Sequence, residues 1–318
     1  MNIEFIEVYS DIGAGKHGTV HGVDLISKHA KRFAHDTHRI IADKITQPPA
    51  HPAAKYIEHL LPFFRDKLVP LSHKLLGNIE QNGNFPVIIS GDHSNAMGNL
   101  SAFMNHHHDA RVGVVWIDAH ADLHSVFTTP SGNMHGMPLA AVLRLDNTDC
   151  QTQTIDTHTQ QKWQALKQLS THQGIMSSDV FFLGLRSYEA PERHLLATQQ
   201  MFAYDAQDQA VIGGDKLPLG QILSQLIDKL SQLDAVYVSF DVDALDSSLI
   251  AATGTPEPNG YQPDDLRLIF DKLLGLPVVK AFEITEFNPT LDDDSDKYHT
   301  VFDLFTHALG VIANRQAS

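Results

Sequence analysis

A single cysteine, Cys150, among 318 residues rules out an internal disulfide and any metal site built from thiolates. Basic residues are also scarce, with 23 Lys and Arg against 38 Asp and Glu, a net charge of −15. That deficit argues against non-specific binding to nucleic acid or anionic membrane, and it favours a cationic substrate. No apolar stretch reaches the roughly 20 residues that cross a bilayer. The amino terminus, Met1 to Val8, alternates like a strand and lacks the basic segment and apolar core of a secretory signal. The expectation is a cytoplasmic protein with no membrane or nucleic-acid partner. Internal repeats and low-complexity linkers are absent as well.

What is present is ordinary globular material, 42% hydrophobic and 19% charged. Length alone would allow two domains, but strand-like and helix-like runs alternate along the whole chain, which predicts one domain over 1–318. Strands are expected at Ile3–Tyr9, Val87–Ile89, Gly113–Ile117, Val180–Leu185, Phe202–Tyr204, Val236–Phe240 and Val278–Ile284. Between them lie helical patterns at Val23–Phe33, Tyr56–Asn78, Ala96–Met104, Pro138–Leu145, Pro191–Gln199, Leu219–Gln232, Asp264–Leu274 and Tyr298–Asn314. The polar stretch Asp146–Ser178 reads as a surface excursion around one helix near Trp163. Repeated β–α alternation with short connections means a doubly wound, mostly parallel sheet.

Three short clusters each follow directly on one of the apolar runs: Gly91-Asp92-His93-Ser94, Asp118-Ala119-His120-Ala121-Asp122 and Asp241-Val242-Asp243. In an open α/β sheet the carboxyl ends of the strands converge on one crevice, so these clusters should meet there. Asp118, Asp122, Asp241 and Asp243 would bring four carboxylates together, and they cannot all stay ionised unaided. Two divalent cations would balance them. His93 and His120 add neutral nitrogen ligands, and a set of oxygen and imidazole without thiolate suits Mn²⁺ better than structural zinc. Residues two apart on a strand share a face and lie roughly 6.6 Å apart, so Asp241 and Asp243 are expected to reach one ion pair from a common strand. Asp118, His120 and Asp122 would span roughly 13 Å if extended, so that strand should end near Asp118 and curl through Ala119–Leu123. Alone, each cluster reads as a polar strand end; together they read as a metal centre.

Other features carry less. The run His106-His107-His108 reads as a solvated helix end. Asp292-Asp293-Asp294 lacks the glycine and glutamate spacing of a calcium loop. Gly13-Ala14-Gly15-Lys16 follows the first strand but has neither the Walker spacing nor a dinucleotide fingerprint.

The clusters and their flanks resemble the ureohydrolases, and within them the arginases. The matching segments are Ser90-Gly91-Asp92-His93-Ser94, Trp116 to Asp122, Ser131-Gly132-Asn133-Met134-His135-Gly136-Met137-Pro138, Ser239 to Asp246, Ala252-Thr253-Gly254-Thr255-Pro256 and Glu286-Phe287-Asn288-Pro289. The resemblance implies a three-layer α/β/α fold around an eight-stranded parallel sheet, two Mn²⁺ ions with Co²⁺ or Ni²⁺ as substitutes, and a homo-trimer or homo-hexamer. It implies hydrolysis of a guanidinium group to urea and an amine, in L-arginine to urea and L-ornithine. His93, Asp118, His120, Asp122, Asp241 and Asp243 fall on the metal-ligand positions, the six already chosen on physical grounds. His135 falls where a proton-shuttling histidine stands, and Glu286 where a carboxylate pairs with the guanidinium.

The chemistry fits these roles. A guanidinium carbon is a poor electrophile, with a pKa above 12 and delocalised charge, so a metal-generated hydroxide is needed to attack it. Glu286 would orient the cation, Asp122 would take the nucleophile's proton, and His135 would protonate the departing amine. At the amino-acid end of the substrate the resemblance points to His124, Thr129, Ser131, Asn133 and Glu189. His124 stands where asparagine is usual and Glu189 where aspartate is usual, which leaves agmatinase, guanidinobutyrase and formimidoylglutamase as alternatives. A metallophosphoesterase also uses GD and DxH segments, but here GDH precedes DxH and no Gly-Asn-His-Asp stretch occurs. A non-catalytic metal-binding protein is the remaining alternative, and urea release would separate it from the enzymes.

Overall fold

Buried apolar runs set the frame. In the computed structural model, which describes residues 1–45 and 47–315, eight strands form one sheet: β1 (Ile3–Tyr9), β2 (Ala34–Ile41), β3 (Phe85–Ser90), β4 (Val112–Ile117), β5 (Val180–Leu183), β6 (Phe202–Tyr204), β7 (Ala235–Asp241) and β8 (Val279–Thr285). Their order is β2-β1-β3-β8-β7-β4-β5-β6, and every neighbouring pair is parallel. Strands β3, β4 and β7 are buried at every position, as β-branched and aromatic runs covered on both faces must be.

Alternate residues of these strands feed two separate cores. Val114, Trp116, Phe182 and Tyr237 pack with α2 (Ile57–Phe63), α3 (Val69–Gln81), α4 (Ala96–His106), α5 (Pro138–Val142), α6 (Thr157–Leu166) and α7 (Ala190–Thr198). Val115, Ile117, Val238, Phe240 and Phe282 face α1 (Thr19–Ala30), α8 (Leu219–Leu230), α9 (Pro263–Leu273) and α10 (Tyr298–Ala313). Three layers result because a strand residue and its neighbour point to opposite faces. Each large side chain fully buried contributes about 1.5–3 kcal/mol. Among the described residues no helix is long and apolar enough to cross a membrane.

Two local outcomes differ from the sequence reading. Strand β2 carries no apolar signal, because it is an edge strand in which only Ile40 is buried. Cross-strand pairs hold it instead, His38 Nε2 on Glu4 at 2.8 Å and Arg39 Nε on Glu7 at 2.8 Å. The long helical region expected from Tyr56 is interrupted by a wider π turn at Phe64–Leu68. Pro62 and Pro70 flank that turn and remove two N–H donors from the regular ladder.

Strand order decides which loops can meet. Strands β3, β8, β7 and β4 are consecutive neighbours, so segments as far apart in sequence as Gly91 and Glu286 leave the sheet side by side.

Candidate metal centre and active site

Each of the three clusters begins where a strand stops. Strand β4 ends at Ile117, and the chain curls through Ala119–Leu123 with Asp122 at φ +51°. Strand β7 ends at Asp241, whose side chain accepts from Asp243 N at 2.8 Å and caps a 3₁₀ turn over Val242–Ala244. Asp243 therefore reaches the centre from a turn, and not from the common strand expected: the cap redirects it where a continued strand would carry it past. Arg186 pins this turn by donating to the carbonyls of Gly184, Asp243, Leu245, Glu257 and Pro258. After β3, Asp92 is spent on structure, accepting from Ser94 N and Gly13 N, and burial lifts it to about 7. Gly13 and Gly15 allow this close approach, since a Cβ at Gly13 would sit 2.3 Å from Ser94 Oγ and one at Gly15 would sit 2.5 Å from Asn133 Nδ2. The glycines of that loop thus pack over the strand ends.

The six expected ligands converge. His93 Nδ1 lies 3.0 Å from Asp118 Oδ2, 3.3 Å from Asp122 Oδ2 and 3.3 Å from Asp241 Oδ2. His120 Nδ1 lies 3.0 Å from Asp243 Oδ2 and 3.5 Å from Asp118 Oδ1. The two groups share Asp118, one oxygen turned to each. All four carboxylates are buried. Burial, then the charges of Asp243 and Asp118, drive Asp241 well above the carboxylate range. Burial followed by Asp118 raises Asp122 to about 6. Asp118 alone is held low: burial opposes its charge, but the neighbouring imidazoles of His120 and His93 prevail.

A polar row under the centre fixes the His93 ring. Trp116, Ser239 and Glu283 are paired neighbours across β4, β7 and β8. Ser239 Oγ donates to Glu283 Oε2 at 3.1 Å, and Asn99 Nδ2 holds the other oxygen at 2.9 Å. With its one proton given to Glu283, Ser239 can only accept from His93 Nε2, 2.9 Å away. In the neutral ring the Nδ1 lone pair then faces the carboxylates. Trp116 stacks on the imidazole with centroids 3.9 Å apart. Behind His120, Nε2 lies 3.8 Å from Glu257, which Ser187 Oγ anchors at 3.0 Å.

A dication fits this donor set. His93 Nδ1 and Asp118 Oδ2 are buried without a hydrogen-bond partner of acceptable geometry, although they face each other. Orphaned buried acceptors of this kind are rare unless something else binds them. Oxygen and imidazole donors match a hard or borderline divalent ion.

Glu286, directly after β8, sits at φ +65° with Oε1 accepting from His93 N at 2.8 Å and from His135 Nδ1 at 3.1 Å. Burial would neutralise both partners, yet their mutual contact keeps Glu286 below its ordinary pKa and lifts His135 to about 9. At the expected substrate end, His124 is buried with Nε2 on Glu189 at 2.8 Å and 3.4 Å from Glu192. Its Nδ1 meets Thr128 Oγ1 at 3.2 Å. Thr129 Oγ1 accepts from Gly132 N, Ser131 Oγ from Asn133 N, and Asn133 Oδ1 from Lys55 Nζ at 2.9 Å.

Residues 2–310 match the family described as the Arginase family. The chain belongs to the arginase family. An arginase of Bacillus subtilis is 30% identical over 241 residues, covering 76% of this chain and 73% of that enzyme. The arginase of Bacillus caldovelox is 31% identical over 217 residues, 68% of this chain and 65% of that enzyme. The crystal structure of Entamoeba histolytica arginase, solved with L-ornithine, superposes with a TM-score of 0.81 at 23% identity, over 97% of this chain and 98% of that one. This arginase-family chain is accordingly an arginase-like ureohydrolase.

Several arginase-site neighbours carried no motif. Ser239 and Glu283 did leave a trace, as buried-strand positions filled by polar residues. Lys55 and Glu257 left none, because each reaches the site only through loop packing, and Glu192 reads as the helix-capping residue of α7 that it also is.

Proposed function

We propose that the chain is a binuclear manganese hydrolase that cleaves L-arginine to L-ornithine and urea. One observation carries this reading: Asp118 is shared between two buried His–Asp groups. His93, Asp122 and Asp241 would hold one ion, His120 and Asp243 the other, with Asp118 between them. When bound, such a pair lowers the pKa of water and supplies a hydroxide nucleophile near neutral pH.

The protein's own groups do the rest. Glu286 stays ionised, so it pairs with the planar guanidinium and turns its carbon towards the carboxylate cluster. Asp122 takes the nucleophile's proton. The C–N bond to the side chain cannot break with an amide anion as leaving group, so a proton must arrive on that nitrogen. His135 carries one at Nδ1 below about pH 9, beside Glu286. The products are urea and the amine.

Support for an amino-acid substrate comes from Thr129, Ser131 and Asn133, donors suited to a carboxylate, with Lys55 placing a cation on Asn133. Glu189, with its side chain 57% exposed, lies where an α-ammonium could compete with His124 for it. The His124–Glu189 pair favours the second reading, because it consumes groups that would otherwise meet the substrate; agmatine, guanidinobutyrate or formimidoylglutamate would then be the substrate. Urea release from a panel of guanidino compounds, with Mn²⁺ added, separates the two. L-Arginine should exceed agmatine in kcat/KM by well over tenfold, as loss of two charge-assisted hydrogen bonds at roughly 1.5–3 kcal/mol each requires. Equal turnover of agmatine would sink the arginase assignment, and no urea from any guanidino compound together with no formamide from formimidoylglutamate would sink the hydrolase.

A further inference from the structure

The opposite end of the sheet holds a second imidazole–carboxylate group with a different setting. A cleft of about 580 Å³ opens where β3 and β8 begin, lined in part by Glu80, His106, His107, Lys280 and Arg315. It lies about 17 Å along β3 from the catalytic end, and none of its residues belongs to the carboxylate centre at the strand ends.

The sequence marked His106-His107-His108 as a solvated helix end. His108 is exposed, but His106 and His107 are half-buried at the end of α4. The physical reason lies on α3: the His106 ring packs over Gly77, stands edge-on to His73 with centroids 6.1 Å apart, and brings Nε2 to 2.5 Å from Glu80 Oε2. His107 turns back against Phe103, ring centroids 4.5 Å apart, and among the described residues no group hydrogen-bonds its imidazole. One donor atom from each of Glu80, His106 and His107 falls within a 4.8 Å circle.

We propose that Glu80, His106 and His107 form a binding site for a borderline divalent transition ion, Zn²⁺ or Ni²⁺ in class, whose remaining coordination positions open into the cleft. Donors held 2.0–2.1 Å from a tetrahedral ion stand roughly 3.3 Å apart, so small side-chain rotations close the trio on an ion. Two imidazoles and one carboxylate are the donor set of open, three-ligand sites. The protonation states agree: burial, with His106 and Lys280 nearby, lowers His107 to about 4, which leaves a neutral nitrogen. Burial opposes the Glu80 charge, but the hydrogen bond from His106 keeps it ionised. Lys280 and Arg315 in the cleft wall disfavour ions held by charge alone, such as Mg²⁺. Selection falls to ions that bond well to imidazole.

The test uses tag-free protein loaded with Mn²⁺, dialysed against micromolar Zn²⁺, with both metals quantified in the same sample. Wild type should gain one Zn²⁺ per chain with its manganese unchanged. His107→Asn should lose that ion, and so should Glu80→Gln, an exposed and near-isosteric change that leaves folding intact. Each variant should keep its manganese and its urea production. No added Zn²⁺, or equal Zn²⁺ in wild type and both variants, would overturn the site and leave the Glu80–His106 contact as a clasp between α3 and α4.

Discussion

Two clusters beside the active site share one ratio, two carboxylates for each imidazole, and differ in everything that decides what the ratio means. At the strand ends, Asp118, Asp122, Asp241 and Asp243 surround His93 and His120, all of the carboxylates buried, with donor atoms of His93 and Asp118 left unpartnered. On the flank, His124 lies between Glu189 and Glu192, where Glu189 is half in water and Glu192 accepts from the backbone of Leu123 and Glu189. The His124 proton keeps Glu189 charged, at about 2, while burial lifts Glu192 to about 8. One cluster closes its own charge with protons and hydrogen bonds; the other needs cations. Counting ligand types would treat both as metal sites, whereas unsatisfied atoms tell them apart.

The contrast is sharpest at Asp241. Asp241→Ala should lower manganese content by at least one ion per chain and reduce urea production to background. The metal-free variant should also melt lower than the metal-free parent, because the side chain that caps the Val242–Ala244 turn is gone. Retained metal would place the centre elsewhere. His135→Asn should come next, with kcat down about 10²-fold and metal content unchanged. His135 acts in its protonated form, which is lost as pH rises through about 9, so wild-type kcat should fall there and the variant should lack that limb. Loss of a metal ion in this variant would make His135 a ligand. The smallest effect belongs to the flank. His124→Asn frees Glu189 and should raise the preference for arginine over agmatine by roughly tenfold, one charge-assisted hydrogen bond. Manganese should not change; a drop would mean that the flank is part of the metal centre after all.

Most of the sheet was legible because buried parallel strands are continuous apolar runs with few other readings. The edge strand β2 was not, since its stability comes from pairs with Glu4 and Glu7 and not from burial. The six candidate ligands were legible for a related reason: acidic residues placed directly after buried strands have nowhere to go but the crevice. His106 was misread, because the Glu80 carboxylate that holds it lies on another helix, and His107 because its ring turns back onto Phe103. Lys55 and Glu257 remained invisible, as nothing local ties a loop residue to a partner 78 or 137 positions away.

Asp122 and Glu286 stand in the left-handed region of backbone space, where a side chain other than glycine costs about 1–3 kcal/mol. A search for stabilising substitutions would therefore be drawn to these positions first. Glycine at either would relax the chain and also remove a carboxylate that the proposed chemistry requires. Selection for a sturdier fold and selection for turnover pull in opposite directions at these two residues, and a lineage released from the second would be expected to lose them early.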